Sequence, residues 1–234
     1  TLNTAGTGRN ISSATAAAAE SLSKDLFFGQ NKLLVFGMDV AVNDLATCFD
    51  YLMRSENSRP DVPVCISSGT AAQLLDCGQN DALVPAQAVA ELLKNGQNSG
   101  FSLYVSVNEM LNLYKDKTSD ICLPVITAGD ESSRTSGIAI FSESRLAGVL
   151  SGDETVGLLF LKDKVKSGYM ELESEKYGNI GVRIIGASSK TKAFAQGETV
   201  HFKVGVKLFF SIDEIENGTK ESLSDAELAE IGKE

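Results

Sequence analysis

The most regular alternation of apolar and polar side chains in the sequence spans residues 200–212. Every second position is apolar, and these positions are Val200, Phe202, Val204, Val206, Leu208, Phe210 and Ile212. The positions between them include His201, Lys203, Gly205 and Lys207, with Phe209 as the exception. Because side chains alternate between the two faces of a strand, this pattern predicts a β-strand in a sheet with one wet face.

Residues 136–168 predict a strand, a turn, a second strand and a capped helix. Two short apolar runs separated by a polar turn indicate the strands. Ser151 and Glu154 then have the spacing of a capping box, in which the hydroxyl and the carboxylate each accept a hydrogen bond from a free backbone N–H. The pattern predicts a helix over residues 152–166 that ends before Gly168.

The first half of the chain alternates between helix and strand signals. Apolar runs predict strands at 32–36, at a segment ending near residue 67, and at 121–127, where a proline indicates an edge or a bulge. Helical periodicity predicts helices at 11–24, 44–54, 70–77, 85–95 and 106–115. Asn43 is the expected N-cap of the second helix. The order strand, helix, strand, helix over residues 32–77 favours a parallel βαβ element.

A polar, turn-rich segment at 128–135 predicts a domain boundary. We expect an N-terminal α/β domain over residues 1–130, with short strands covered by helices and its natural N-terminus missing. The second domain, residues 131–234, is expected to hold a largely antiparallel sheet and the capped helix. A last helix signal at Ser224 stops soon afterwards, which indicates truncation there. The predicted fold class is therefore mixed α/β, of the α+β kind.

Charge and hydropathy exclude some classes of function. The chain has 234 residues and a net charge of −10, so it lacks the basic balance that neutralises the phosphates of nucleic acids. No apolar run approaches the roughly 20 residues of a membrane-spanning helix. The sequence shows no initiator Met and no signal-peptide pattern. Either a cytosolic protein or a trimmed chain would fit these observations.

The sequence offers no recognisable catalytic set. Its single histidine, His201, lies on the polar side of the predicted strand, and no nucleophile elbow, dinucleotide loop or phosphate-binding loop is present. The four cysteines, Cys48, Cys65, Cys77 and Cys122, lack metal-ligand spacing and fit buried reduced thiols, with a disulfide as the alternative. We therefore expect no enzyme activity, no cofactor and no metal.

The end of the predicted helix carries a run of lysines, Lys162, Lys164 and Lys166. The simplest interpretation is a solvated helix end, where cations are favoured. The alternative is contact with an acidic partner or with lipid headgroups through charge attraction. Thr155, Lys162 and Lys166 are the residues that we expect to contact a partner, provided that they are exposed.

Two stretches resemble the C-subunit lipoproteins of bacterial spore germinant receptors, the Ger(x)C family. The first is LFFGQNKLLVFG at 26–37, where the family shows LFFGH and a lysine before an apolar strand. The second is SGIAIF, RLAGVL and DETVGLLFLKDKVKSG within 136–168. LPVI at 123–126 also matches a family strand. Phe160 and Gln30 replace a common Trp and His, and the turn at 143–145 differs from the usual Lys-Asp-Lys.

The resemblance implies a non-catalytic role in sensing nutrient germinants. It implies a longer mature protein, anchored by an N-terminal lipid absent from this chain, on the outer face of the spore inner membrane. The implied partners are integral-membrane A-type and B-type germinant receptor subunits. An alternative function is an extracytoplasmic module that itself binds a small nutrient molecule. A hydrolase is the least favoured hypothesis, because the sequence has no nucleophile and base in a recognisable arrangement.

Overall fold

The computed structural model describes residues 4–20, 22, 26–55, 59–77, 84–116, 118–130, 132–217, 224, 228 and 231. The chain divides into two compact units. The first unit comprises Thr1–Gly96 and Ser102–Thr155, and the second comprises Gln97–Phe101 and Val156–Glu234. Helices and two separate sheets occur together, so the predicted mixed α/β class is confirmed.

Helices and strands alternate through the first unit. Its helices are α1 (Ile11–Glu20), α2 (Met38–Asn43), α3 (Ala46–Arg54), α4 (Ala71–Asp76), α5 (Pro85–Asn98, whose last turn enters the second unit) and α6 (Val107–Lys115). Its strands are β1 (Leu34–Gly37), β2 (Val64–Ser67), β3 (Ile121–Ala128), β4 (Ser133–Ser142) and β5 (Arg145–Leu150). Phe28–Gln30 forms a short 3-10 turn before β1.

These five strands form one mixed sheet in the order β1-β2-β3-β4-β5. β1 and β2 are parallel, with Leu34 opposite Val64, which confirms the predicted parallel βαβ element. Parallel neighbours need a crossover connection, and α2 and α3 supply it here. β2 and β3 are also parallel, whereas β3, β4 and β5 follow one another antiparallel.

Burial differs between the two short parallel strands: β2 is buried as its continuous apolar sequence predicts, whereas Phe36 is the one buried residue of β1. All four residues of β2 are buried. One core cluster joins strand residues Cys65 and Ile126 to helical residues Leu74, Val89 and Leu93. Elsewhere in this unit, the ring of Phe49 on α3 lies 4.8 Å from that of Tyr114 on α6. Helices α4 and α5 therefore supply apolar cover for β2 and β3.

The polar segment at 128–135 contains the connection between two neighbouring strands of this sheet, β3 and β4. β3 and β4 pair from Ile121 opposite Phe141 to Ala128 opposite Ser133, with a bulge between Val125 and Ile126. The bulge agrees with the interpretation of the nearby proline. The boundary predicted at residues 130 and 131 thus lies inside a hairpin of the first unit, and the compact units divide at 155 and 156 instead. The domain boundary at residues 130 and 131 stays a prediction for the domains of the family.

The second unit is organised by three antiparallel strands, β6 (Gly168–Ser174), β7 (Gly178–Gln196) and β8 (Thr199–Ile215), in the order β6-β7-β8. β6 pairs with β7 only as far as Ile184, so the sheet continues beyond that point as two strands. One core cluster contains Tyr177, Ile180, Val182 and the helical residue Ile231. The remainder of the helix predicted from Ser224 lies outside the described residues.

Of the three predicted helix caps, one forms through its hydroxyl, one forms only in part and one is wrong. The Ser106 hydroxyl accepts from the Glu109 N–H at 3.2 Å and opens α6. At Ser151 only half of the capping box forms, namely the bond from the Ser151 N–H to the Glu154 carboxylate at 3.3 Å. The cap predicted at Asn43 is wrong. Asn43 ends α2, and the Asp44 carboxylate accepts from the Ala46 N–H at 2.8 Å at the start of α3.

Candidate partner-binding surface

The helix that carries the candidate contact residues ends earlier than predicted. α7 spans Gly152–Leu161, five residues short of the predicted end at 166. The N–H of Lys164 donates to the Leu159 carbonyl at 2.8 Å, and the N–H of Asp163 donates to the Phe160 carbonyl at 3.0 Å. These two bonds form a Schellman motif, with Asp163 at the left-handed position (φ 55°) that glycine usually occupies. Asp163, and not Gly168, therefore terminates the helix.

Asp163 tolerates this conformation because its short polar side chain finds partners nearby. One carboxylate oxygen accepts from the Ser189 N–H on β7 at 2.9 Å, and the other lies 3.0 Å from the Lys166 ammonium. The Ser189 N–H, and after it Lys166, hold the pKa of the Asp163 carboxyl below its usual value. The loop after α7 is thus tied to β7 by one acidic side chain.

Two of the three candidate contact residues lie on this loop and are exposed. The Lys166 ammonium also donates to the Ala187 carbonyl at 3.4 Å, yet 59% of its side-chain surface remains exposed. Lys162 is exposed and directly precedes Asp163. The structure therefore presents one lysine in a fixed position and a second on the adjoining surface.

Residues 97–101, a short segment of the second unit, pack closely against the other end of this loop. We call this contact the clasp. The Ser167 hydroxyl donates to the Asn98 carbonyl. Gly100 has a φ of +71°, and a Cβ at this position would lie 2.6 Å from the Ser167 carbonyl oxygen. Gly168 has a φ of +155°, and its Cβ would lie 2.7 Å from the Ser99 carbonyl oxygen. Both glycines are required by this close approach of backbone to backbone.

The clasp borders an open surface depression of about 610 Å³, lined by Gln97, Asn98, Asp163, Lys164, Lys166 and Ser167. Its lining residues are all polar or charged by type, and they include two lysines and one aspartate. The two ammonium groups favour an acidic partner surface through charge attraction. The lysines are recognisable in the sequence, but the segment 97–101 is not, because a contact between distant backbone segments leaves no local periodicity.

The expectation for Thr155 is corrected by its burial. The residue is only 6% exposed, and its hydroxyl donates to the Leu150 carbonyl at 3.2 Å. A buried side chain whose hydroxyl is already bonded cannot contact a partner directly. Thr155 instead secures the start of α7 to the end of β5.

The thiols and the histidine are placed in environments that do not resemble a reactive centre. None of the four cysteines forms a disulfide bond, and Cys65, Cys77 and Cys122 are buried. Burial raises the pKa of the Cys65 thiol to about 12, whereas a nucleophilic cysteine needs a lowered pKa. His201 is exposed, and its ring stacks on that of Phe194 at 5.5 Å.

Within the described part of the chain, no group of three or more His, Cys, Asp or Glu side chains could hold a metal ion. None of the helices among those same residues combines the length and apolar character needed to cross a bilayer.

Family comparison places both halves of the chain in one group of proteins. Residues 1–128 match the model described as "Spore germination protein N-terminal domain". Residues 136–234 match the model described as "Spore germination B3/ GerAC like, C-terminal". The two matches are separated by residues 129–135, which form the connection between β3 and β4 and the first three residues of β4.

A curated relative and a solved structure resemble the chain over much of its length. "Putative spore germination protein YfkR" of Bacillus subtilis (strain 168) is 23% identical over 167 residues, which cover 68% of this chain and 42% of YfkR. The crystal structure of the GerBC protein has a TM-score of 0.63 and 16% identity, and the match covers 86% of this chain and 58% of that one. The likeness to GerBC concerns the fold. The chain therefore spans about half the length of the relatives it matches.

The two family regions together account for most of the sequence and occur in the family order. The chain belongs to the Ger(x)C family of spore germination proteins.

Proposed function

We propose that the chain is a non-enzymatic subunit of a nutrient germinant receptor. In this role it supports spore germination through contacts with membrane partner subunits. The observation that carries the proposal is the match of two germination-family regions over residues 1–128 and 136–234. The environments of the thiols and of His201 favour a role in binding over one in catalysis, because they lack an activated nucleophile.

The proposed partners are integral-membrane subunits of the A and B types. We place the protein on the outer face of the spore inner membrane, held there by an N-terminal lipid anchor that lies outside this sequence. At this location the protein would act by binding the surfaces of its partner subunits. Partner binding would then depend on rigid, exposed side chains in the folded units.

The proposed contact surface is the loop after α7, with Lys162 and Lys166 as its charged residues. The Schellman motif, the Asp163 bonds and the glycine clasp fix the backbone of this loop, so little ordering is required when it binds. Charge attraction to an acidic partner surface would mainly raise the rate of association. Thr155 supports the start of the helix and makes no contact itself.

Deletion of the gene tests the proposed role. Spores that lack it should lose the response to at least one class of nutrient, such as amino acids, sugars or nucleosides, and the full-length gene should restore it. Loss of optical density after nutrient addition measures germination. Germination at the normal rate in every nutrient would argue against the proposed role.

Thermal unfolding with added nutrients separates contact with a partner from direct ligand binding. A ligand at one hundred times its Kd stabilises a protein by about 2.7 kcal/mol, which gives a readily measured rise in Tm. If the protein acts by partner contact, the Tm of the isolated chain stays unchanged in saturating nutrient. A rise with one nutrient and with none of its analogues would establish the nutrient-binding module instead.

A further inference from the structure

Beyond the end of β6, β7 and β8 continue as a two-stranded ribbon, residues 186–209, whose two sides differ in charge. Directly opposed residues of an antiparallel pair point to the same side of the sheet. One side carries an uncharged apolar stripe, formed by Val200, Phe202, Val204, Val206 and Leu208. The other side, which we call the basic face, carries Lys190, Lys192, Lys203 and Lys207. Every residue from 190 to 209 is exposed, so both sides are wet, whereas the alternation in the sequence predicts one wet side.

The lysines of the basic face are neighbours of one another. Lys192 lies directly opposite Lys203. Lys190 lies opposite Gly205, which makes it the diagonal neighbour of both Lys203 and Lys207. The four Cα positions span about 14 Å along the ribbon and about 5 Å across it. Because like charges directly opposite each other destabilise a sheet, the stability of the fold does not explain this arrangement.

Among the residues that the structure describes, no carboxylate forms an ion pair with any of these four lysines. Residues 186–209 include one acidic residue, Glu198, which lies in the turn between β7 and β8. The next acidic residue along β8, Asp213, is paired with Arg183 at 2.8 Å. The basic face therefore attracts anions, although the whole chain has a net charge of −10.

The composition of the basic face favours an anionic lipid surface over an acidic protein. All its cations are lysines, and residues 186–209 contain no arginine. Arginine is enriched and lysine is depleted where proteins bind each other, since the guanidinium group pairs with carboxylates in a fixed geometry. Lysine carries a compact charge on a flexible stem. Such a side chain suits lipid headgroups, which attract basic residues without a fixed geometry.

Two exposed aromatic side chains flank the lysines on the same side of the ribbon. Phe194 lies two residues after Lys192, is 51% exposed and stacks on the ring of His201 at 5.5 Å. Phe209, at the other end of this side, is 67% exposed. Protein segments that lie on a membrane combine basic side chains with apolar ones that enter the boundary between headgroups and acyl chains. The basic face has both kinds of side chain.

We propose that the basic face binds the surface of an anionic phospholipid membrane through its four lysines. Each lysine close to such a surface strengthens binding roughly fivefold. Salt should weaken the binding strongly, because the Debye length falls from about 10 Å at 0.1 M to about 3 Å at 1 M ionic strength. The inference does not rest on the proposed function, because the chain can bind lipid whether or not it contacts receptor subunits.

Sedimentation of the 234-residue chain with lipid vesicles tests the proposal. Vesicles of equal parts phosphatidylglycerol and phosphatidylcholine are compared with vesicles of phosphatidylcholine alone. At about 0.1 M salt the chain should bind the anionic vesicles at least about tenfold more tightly, and about 1 M salt should remove most of this preference. Equal binding to both kinds of vesicle would indicate contact through the apolar stripe and would overturn the proposal. No binding to the anionic vesicles would also overturn it, and would favour an acidic protein as the partner of the basic face.

Two variants with the same net charge locate the contact. The first replaces the four lysines by glutamine: Lys190→Gln, Lys192→Gln, Lys203→Gln and Lys207→Gln. The control replaces four exposed cations of the first unit in the same way: Arg9→Gln, Lys32→Gln, Lys94→Gln and Lys115→Gln. The first variant should bind anionic vesicles at least about tenfold more weakly than the wild type, and the control within twofold of it. An unchanged affinity of the first variant, or an equal loss in both, would overturn the proposal. Thermal unfolding shows whether both variants fold, and the comparison of anionic with neutral vesicles decides the matter without them.

Discussion

Substitution of Gly100 by alanine tests the clasp that holds the lysine loop. A non-glycine residue in the left-handed region costs about 1–2 kcal/mol. The added Cβ would also lie 2.6 Å from the Ser167 carbonyl oxygen, which belongs to the backbone and cannot rotate away. Steric overpacking of this kind costs about 1–3 kcal/mol. The lower entropy of the unfolded chain offsets about 0.4–1 kcal/mol of the loss. We expect a net destabilisation of about 1–5 kcal/mol.

Gly157→Ala is the matched control, because it makes the same chemical change in the neighbouring helix α7. A Cβ at Gly157 would meet no atom within 4 Å, and alanine stabilises the interior of a helix by about 0.5–1 kcal/mol relative to glycine. Urea unfolding at 25 °C, followed by amide exchange in peptides of the second unit, measures both variants. If Gly100→Ala unfolds at the same urea concentration as the wild type, the close approach of residues 97–101 to the loop is wrong.

Three further predictions concern buried or partnered groups. Thr155→Val should lower the free energy of unfolding by about 1 kcal/mol, since the Leu150 carbonyl loses its donor. Thr155→Ser keeps the hydroxyl and should retain that bond. Equal thermal unfolding of the Val and Ser variants would contradict this prediction. The pKa of Asp163 is lower in the folded state than in the unfolded state, so its contribution to stability is present above pH 4 and is lost as pH falls below about 4. Asp163→Asn should flatten that acid loss, and parallel curves of urea midpoint against pH for the two proteins would refute it. Because the pKa of its thiol is about 12, Cys65 should resist iodoacetamide at pH 8 in the folded protein and react once urea unfolds it. Mass spectrometry measures the labelling, and rapid labelling of Cys65 in the folded protein would contradict the prediction.

Local patterns predicted the elements of this fold well where one signal dominated. The apolar run before Gly37 and the alternation in β8 each identified a strand, since successive side chains of a strand point to opposite faces. The Ser106 cap could be predicted because the hydroxyl and its N–H partner lie three residues apart. Such interactions are encoded within a few residues.

Contacts between distant residues were not predictable in the same way. Asp163 ends α7 because Ser189, 26 residues later, supplies a donor to its carboxylate. The fit of Gly100 against Ser167 depends on two segments that are far apart in the sequence. Thr155 had no pattern that distinguished a buried hydroxyl from an exposed one. The lysines of the candidate surface could be identified from the sequence. The fixed backbone of the loop, and the burial that removes Thr155 from the contact residues, could be seen only in the structure.

The apolar face of β8 is exposed from Val200 to Leu208, and this exposure also could not be predicted. Alternation shows that a strand has an apolar face, but not which segment covers that face. The described residues cover the face only near Phe210 and Ile212. The strand was therefore predicted correctly while its environment was not.

Germination of spores that carry charge changes in the lysine loop tests the central claim most directly. The full-length gene with Lys162→Glu and Lys166→Gln is compared with one carrying Lys115→Glu, which changes an exposed lysine at the end of α6 in the first unit. Protein levels are matched by immunoblot, and germination is followed by optical density in the nutrient that the deletion strain fails to answer. Contact through the loop predicts a severalfold slower response for the double variant and a wild-type rate for Lys115→Glu. A wild-type rate for the double variant would contradict the account.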